Sequence, residues 1–275
     1  EIVLFLVKNF FKRSLKKNYL IILIKLLNPK IVYTLIDNSY DFYEISRLME
    51  NETKFIAIQQ SSRNETRWLP ARYSSNIYLP TYYCMSEFDK NYYLKKTNVK
   101  NIIISGSLKS SLALNYIKSK NIKINKKKFD ICVVSEPYNI SVKDRSNKHK
   151  SFKNRSLSEI KDADHISKIG YSSGQVAIYA YKFCKKFNLK MIIAGRCRKD
   201  TMAREQELSF YRNYLKTDKF TLEANEPEKF GSFIIALQSR IIIGSYSTLL
   251  REVICVNKKI FVCNYSGHSD LDFVE

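Results

Sequence analysis

The sequence predicts an α/β protein built from two parallel-sheet domains, and three observations predict it. Short apolar runs rich in β-branched residues recur along the chain, each stopping at a polar pair and giving way to a helical pattern. A lysine-rich stretch poor in apolar residues, Lys118 to Lys128, separates two sets of such units. One late unit, Arg240 to Val253, runs from a buried strand through a hydroxyl-rich turn straight into a helix. Strands that alternate with helices imply parallel sheets covered on both faces, and in such sheets ligands bind beyond the carboxyl ends of the strands.

Taken in order, Glu1 to Leu27 reads as a helix or a strand plus helix, since Lys8, Lys12, Arg13, Lys16 and Lys17 break its apolar pattern. The first strand run, Ile31 to Ile36, stops at Asp37-Asn38, and a helix begins near Ser39. Phe55 to Ile58 stops at Gln59-Gln60, and Asn101 to Ile104 at Ser105-Gly106-Ser107. A helix over Ser110 to Ile117 leads into the linker. Beyond it, Ile131 to Val134 stops at Ser135-Glu136, Met191 to Ala194 at Gly195-Arg196, and the Arg240 run at Gly244-Ser245; a further strand spans Lys259 to Cys263. The domains are therefore expected at 1–122 and 123–275. Lys143 to Arg155 is a polar insertion expected to form a loop at the ligand edge. The lack of an initiator Met and an end soon after the Lys259 strand give the expectation of a fragment lacking its natural termini.

Composition narrows the class. The chain has 275 residues, 45% of them hydrophobic, which is ample for packed cores. Its six cysteines stand singly, without CxxC pairs or nearby histidines, so neither a zinc site nor a disulfide framework is indicated and reduced, cytosolic thiols are expected. No apolar run reaches membrane-spanning length. The formal charge of +21 is spread over the whole chain with no nucleic-acid-binding motif, and the abundance of Lys, Asn, Ile and Tyr fits an AT-rich genome. Attraction to an anionic membrane surface is the second account of the charge, with the basic groups at Lys8 to Lys17 and Lys118 to Lys128 as its natural seats. Nucleic acid is the least favoured partner.

The turn Gly244-Ser245-Tyr246-Ser247-Thr248 carries the most chemistry. Gly244 permits a tight turn, and Ser245, Ser247 and Thr248 place hydroxyls and N–H groups beside the positive end of a helix dipole, where a phosphate is stabilised without a lysine. Ser247 or Thr248 acting only as a helix cap is the competing reading.

The order of motifs is more specific than any one of them. Thr34-Leu-Ile-Asp37-Asn38, Phe55-Ile-Ala-Ile-Gln59-Gln60 with Arg63, Ile104-Ser-Gly-Ser-Leu-Lys109, Val134-Ser-Glu136, Ile193-Ala-Gly-Arg196, Glu207 with Phe210-Tyr211, and Ile243-Gly-Ser-Tyr-Ser-Thr-Leu-Leu250 together resemble the bacterial surface-carbohydrate biosynthesis transferases first described in Leptospira. That family is similar in turn to the β-Kdo transferases of O-antigen and capsule synthesis. Gln59-Gln60-Ser61-Ser62 departs from the pattern, in which His or Asn and then Gly follow the first Gln. The resemblance implies a GT-B fold, with two Rossmann-like domains facing a cleft, the first for the acceptor and the second for the donor. It implies a cytoplasmic glycosyltransferase, peripheral on the inner membrane if its charge is used there. That enzyme would use no metal or cofactor and would move a sugar from a nucleotide-activated donor, CMP-Kdo-like favoured, to a glycan or lipid-linked glycan.

Sugar transfer develops positive charge at the sugar carbon and negative charge on the departing phosphate, so it needs a carboxylate and a phosphate seat. Asp37 and Glu136, each at the end of a strand, are the candidate catalytic carboxylates. Arg196, Ser245, Ser247, Thr248, Glu252 and His268 are the candidates for the donor nucleotide and its phosphate; Asn38, Gln59, Arg63 and Ser107 are those for the acceptor side. A teichoic-acid-type glycerophosphotransferase and a nucleotide-sugar epimerase are alternatives on the same fold. A non-catalytic basic protein that binds nucleic acid is the alternative of another class.

Overall fold

A computed structural model describes residues 14–61, 77–136, 157–267 and 272, with backbone only over 157–167. The chain divides into two compact units, 1–108 and 109–275. Helix α4, Leu108–Ser119, which the sequence assigns to the first domain, packs on the core of the second through Ala113 and Ile117. Those two residues lie four apart and so share one helix face.

Among the described residues of unit 1 the first element is α1, Leu15–Leu27, capped by Ser14 and closed by Asn28 in the left-handed region. Then come β1 (Ile31–Thr34), α2 (Tyr40–Met49), β2 (Lys54–Ile58), β3 (Tyr78–Cys84), α3 (Glu87–Lys96) and β4 (Asn98–Ile104). The four strands are parallel and lie in sequence order. β1 ends two residues earlier than expected because the Ile36 N–H turns back to the Thr34 hydroxyl at 2.9 Å. Helix α2 starts where the sequence places it, with Ser39 as its cap. β3 is not among the expected strands: Pro80 sits inside it, and proline argues against a central strand. It is tolerated because pairing to β2 begins only at Thr81, and the ladder to β4 steps from Leu79 to Thr81. The core gathers Tyr43, Ala57, Leu79, Tyr82 and Tyr93.

Unit 2 contains α4 and then β5 (Phe129–Val134), α5 (Leu157–Lys186), β6 (Met191–Ala194), α6 (Met202–Leu215), β7 (Leu222–Glu223), a 3₁₀ turn, α7 (Gly231–Leu237), β8 (Ser239–Gly244), α8 (Thr248–Ile254) and β9 (Lys259–Val262). The described strands form one parallel sheet in the order β7-β6-β5-β8-β9. Burial is nearly complete along β5 and β6, as strands covered on both faces require. One face carries α5 and α6 over Ile131, Val133 and Ile193; the other carries α4, α7 and α8 over Cys132, Ile192 and Ile242. The chain winds from β5 outward through β6 and β7, then returns to place β8 on the other side of β5. The order of winding therefore reverses between β5 and β8, the topological switch point at which doubly wound sheets leave a crevice for ligands. Lys143 to Arg155 lies outside the described residues.

Candidate functional site at the strand ends of unit 2

Glu136 ends β5 and the Ser245 turn ends β8, so the switch point brings them together. The Glu136 carboxylate is buried and accepts from the Ser245 hydroxyl at 2.9 Å and from the Tyr246 N–H at 2.8 Å. Its own N–H donates to Ser173 Oγ at 3.2 Å, on α5. Burial pushes its carboxyl above the ordinary 4.5, while the Tyr246 N–H, the Ser245 donors and the Arg196 charge pull the other way. An internal anion thus sits on two of the turn donors that the sequence reading assigned to a phosphate. Tyr246, Ser247 and Thr248 remain half-exposed in the turn; the Ser247 hydroxyl accepts from the Leu249 N–H at 3.3 Å as the cap of α8, and Thr248 takes the first helical position.

Beside it, after β6, stands a second buried carboxylate. Glu207 on α6 accepts from Ser135 Oγ at 2.5 Å, the Arg196 N–H at 2.7 Å, the Cys197 N–H at 3.2 Å and Arg204 Nη1 at 3.1 Å. Gly195 is required here, because a Cβ would stand 2.8 Å from Arg204 Nη1 and collide with the Glu223 carbonyl. This network fixes the β6 turn, and from it the Arg196 side chain emerges exposed. Asn225 and Ser232 complete the turn by bonding to the carbonyls of Arg196 and Gly195 at 3.2 Å and 3.0 Å.

Glu252, on α8, is not at the helix surface. It is 1% exposed, its two carboxylate oxygens take no hydrogen bond, and Lys109 Nζ lies 3.6 Å away. Burial raises its carboxyl and Lys109 opposes the rise. Burying a carboxylate whose oxygens accept no hydrogen bond is costly, and the nearby Lys109 ammonium offsets part of that cost.

In unit 1, Asp37 is buried at the end of β1, accepting from Tyr82 Oη at 3.2 Å and the Gln60 N–H at 3.4 Å. Tyr82 lies 3.4 Å from the Tyr93 hydroxyl, and burial holds its phenol well above the usual range. Gln59, also buried, bonds through its amide to Asp89 at 3.2 Å and to the Met85 N–H at 3.0 Å. Asn38 is half-exposed and Ser107 is buried. Asp37 and Gln59 therefore belong to one polar layer at the strand ends of the first sheet.

The structure brings Glu136, Ser245, Ser247 and Thr248 together at the switch point and sets Arg196 on the neighbouring strand end. Asp37 belongs to the other unit. Arg63 and His268 lie outside the described residues. The sequence reading did not single out Ser173 and Arg204, and it placed Glu207 and Tyr211 in the motif order without assigning them a role; Tyr211 Oη lies 3.3 Å from Ser173 Oγ. The Arg204, Glu207 and Tyr211 spacing of three and four along α6 was the available signal. Among the described residues no group of His, Cys, Asp and Glu is placed to hold a metal ion. No helix among them is long and apolar enough to cross a membrane.

The fold is GT-B-like: two Rossmann-like parallel-sheet units with alternating helices. No family model and no curated protein matches the chain. Solved structures do. The UDP-GlcNAc 2-epimerase from Neisseria meningitidis bound to UDP-GlcNAc aligns with a TM-score of 0.50 at 12% identity, over 91% of this chain and 65% of that one. The S. aureus MnaA–UDP co-structure aligns with a TM-score of 0.50 at 12% identity, over 90% of this chain and 61% of that one. The chain spans less than two thirds of the length of either, and identity at this level speaks for the fold.

Proposed function

We propose that this protein acts on a nucleotide-activated sugar held at the carboxyl edge of the second sheet. The observation that carries the reading is the meeting of Glu136 with the Ser245–Thr248 turn at the β5–β8 switch point, where folds of this class seat nucleotides. Glu136 fixes the turn from below. Ser247, Thr248 and the exposed Arg196 are the groups that would meet the phosphates, and a guanidinium binds phosphate in bidentate fashion. Glu252, buried on α8 with Lys109 at 3.6 Å and no hydrogen bond to its oxygens, is the candidate for a ribose hydroxyl.

The finer reading is a metal-independent glycosyltransferase of bacterial lipopolysaccharide or capsule synthesis with a CMP-Kdo-like donor, as the motif order implies. Asp37 or Glu136 would then activate the acceptor. A nucleotide-sugar epimerase is an equal reading, favoured by the likeness to structures that hold UDP-GlcNAc and UDP. Melting curves of the full chain with CMP, CDP, UDP and GDP test the shared part, since a ligand that binds only the folded state raises the melting temperature. Proton NMR then separates the two readings. Conversion of UDP-GlcNAc alone to its C2 epimer identifies an epimerase; consumption of a CMP-sugar only when a glycan acceptor is added identifies a transferase. A flat response to all four nucleotides would overturn both.

A further inference from the structure

Helix α5 is far longer than its neighbours and presents a stripe that the nucleotide site does not use. Tyr171, Tyr179, Lys182, Phe183 and Lys186 follow one another at steps of eight, three, one and three residues, which sets them on one outward side. Tyr179 is 55% exposed and Phe183 50%. Phe187 continues the stripe with its ring 4.7 Å from that of Phe183, and Tyr265, beyond β9, stacks on Tyr179 at 5.5 Å. From Tyr171 to Phe187 the stripe is about 24 Å long at the helical rise of 1.5 Å per residue.

Charge says what covers it. From Lys168 to Lys190 the chain holds five lysines and no Asp or Glu. Lys182 and Lys186 are exposed, and neither forms an ion pair with a described residue. The basic helix α1 differs, since Lys16 and Lys17 are paired with Asp41 and Glu44. We propose that the aromatic and lysine stripe of α5, with Tyr265, seats the protein on an anionic lipid bilayer. Rings of this kind are stable at the headgroup level, and lysines beside them add attraction to anionic headgroups. Tyr265 stacks on one face of Tyr179 and the Phe183 and Phe187 rings meet at 50°, so the rings form one continuous exposed apolar strip beside the lysines, the amphipathic arrangement that suits a headgroup boundary.

The test uses the full chain and extruded vesicles of phosphatidylcholine with or without phosphatidylglycerol. Co-sedimentation is expected with the anionic vesicles only, weakening as salt rises. Tyr179→Ser/Phe183→Ser and Lys182→Glu/Lys186→Glu should each reduce partitioning by about tenfold or more with unchanged circular dichroism. Phe183→Trp in a Trp68→Phe background should shift its emission to the blue on anionic vesicles and be quenched by brominated acyl chains. Wild-type protein that ignores anionic vesicles, or variants that bind them as well as wild type, would overturn the proposal. So would tighter binding of a DNA duplex or single strand than of vesicles through the same stripe. The proposal does not depend on the nucleotide-sugar reading, and either can fail alone.

Discussion

At the scale of single residues, the second unit is organised around carboxylates that other groups surround. Glu207 holds four donors, one of them the guanidinium of Arg204, itself buried. Removing its charge leaves Arg204 buried without a counter-ion, the circumstance in which breaking a pair costs on the order of 3 kcal/mol. Glu207→Gln should therefore lower the urea midpoint by that equivalent, while Glu205→Gln on the exposed side of the same helix should leave it unchanged. Glu252 behaves differently because its buried oxygens accept no hydrogen bond and meet only the Lys109 ammonium at 3.6 Å. Its carboxyl is raised in the folded chain, so the stability it contributes is complete below the ordinary value of 4.5 and is lost as pH rises through the higher folded value. Urea denaturation from pH 4 to pH 8 should show the wild type losing stability over that rise relative to Glu252→Gln. Parallel profiles for the two proteins would contradict this account of the site. None of these partnerships was legible in the sequence. Glu136 meets Ser245 across 109 positions and Ser135 meets Glu207 across 72, and such pairs exist only once the strand order is set.

Between residue and domain, the repeated unit is a strand, a polar turn and a helix. The strands β1, β2, β4, β5, β6, β8 and β9 were legible because β-branched runs ending at polar pairs have few other uses. Their turns were legible as positions but not as chemistry. Ser247 is the cap of α8 and also the candidate phosphate group, so the two readings of the turn describe one side chain with two lone pairs. β3 was illegible because its proline contradicts the rule for central strands, and only the register shows that the missing N–H falls where no ladder bond is needed. β7, two residues long, is too short for any periodic signal. The turn after β6 depends on its glycine. Gly195→Ala should push β7 and Arg204 apart and cost about 1–3 kcal/mol, as overpacking does. Hydrogen exchange should show the loss first at Ile193 and Gly195, whose N–H groups bond to Thr221 and Glu223.

Across the whole molecule, fold class was readable and the exact partition was not. Lys118 to Lys128 looks like a linker by composition, yet the helix before it belongs to the second core, because Ala113 and Ile117 are the residues that seat it. The charge of +21 was readable as a total, whereas its pairing needed coordinates: the lysines of α1 are paired with carboxylates, while Lys182 and Lys186 on α5 form no ion pair with a described residue. The central claim is that a nucleotide binds at the β5–β8 switch point with its phosphates on the Ser247–Thr248 turn. Ser247→Asp tests it most directly, since Asp caps a helix as well as Ser does and yet places a negative charge at the phosphate seat. Calorimetric titration of UDP and CMP into wild type and Ser247→Asp should give measurable binding of at least one nucleotide to the wild type. The variant should lose that binding by a hundredfold or so, equivalent to about 2.7 kcal/mol, at an unchanged melting temperature. Equal affinity of the two proteins for the nucleotide would contradict the claim.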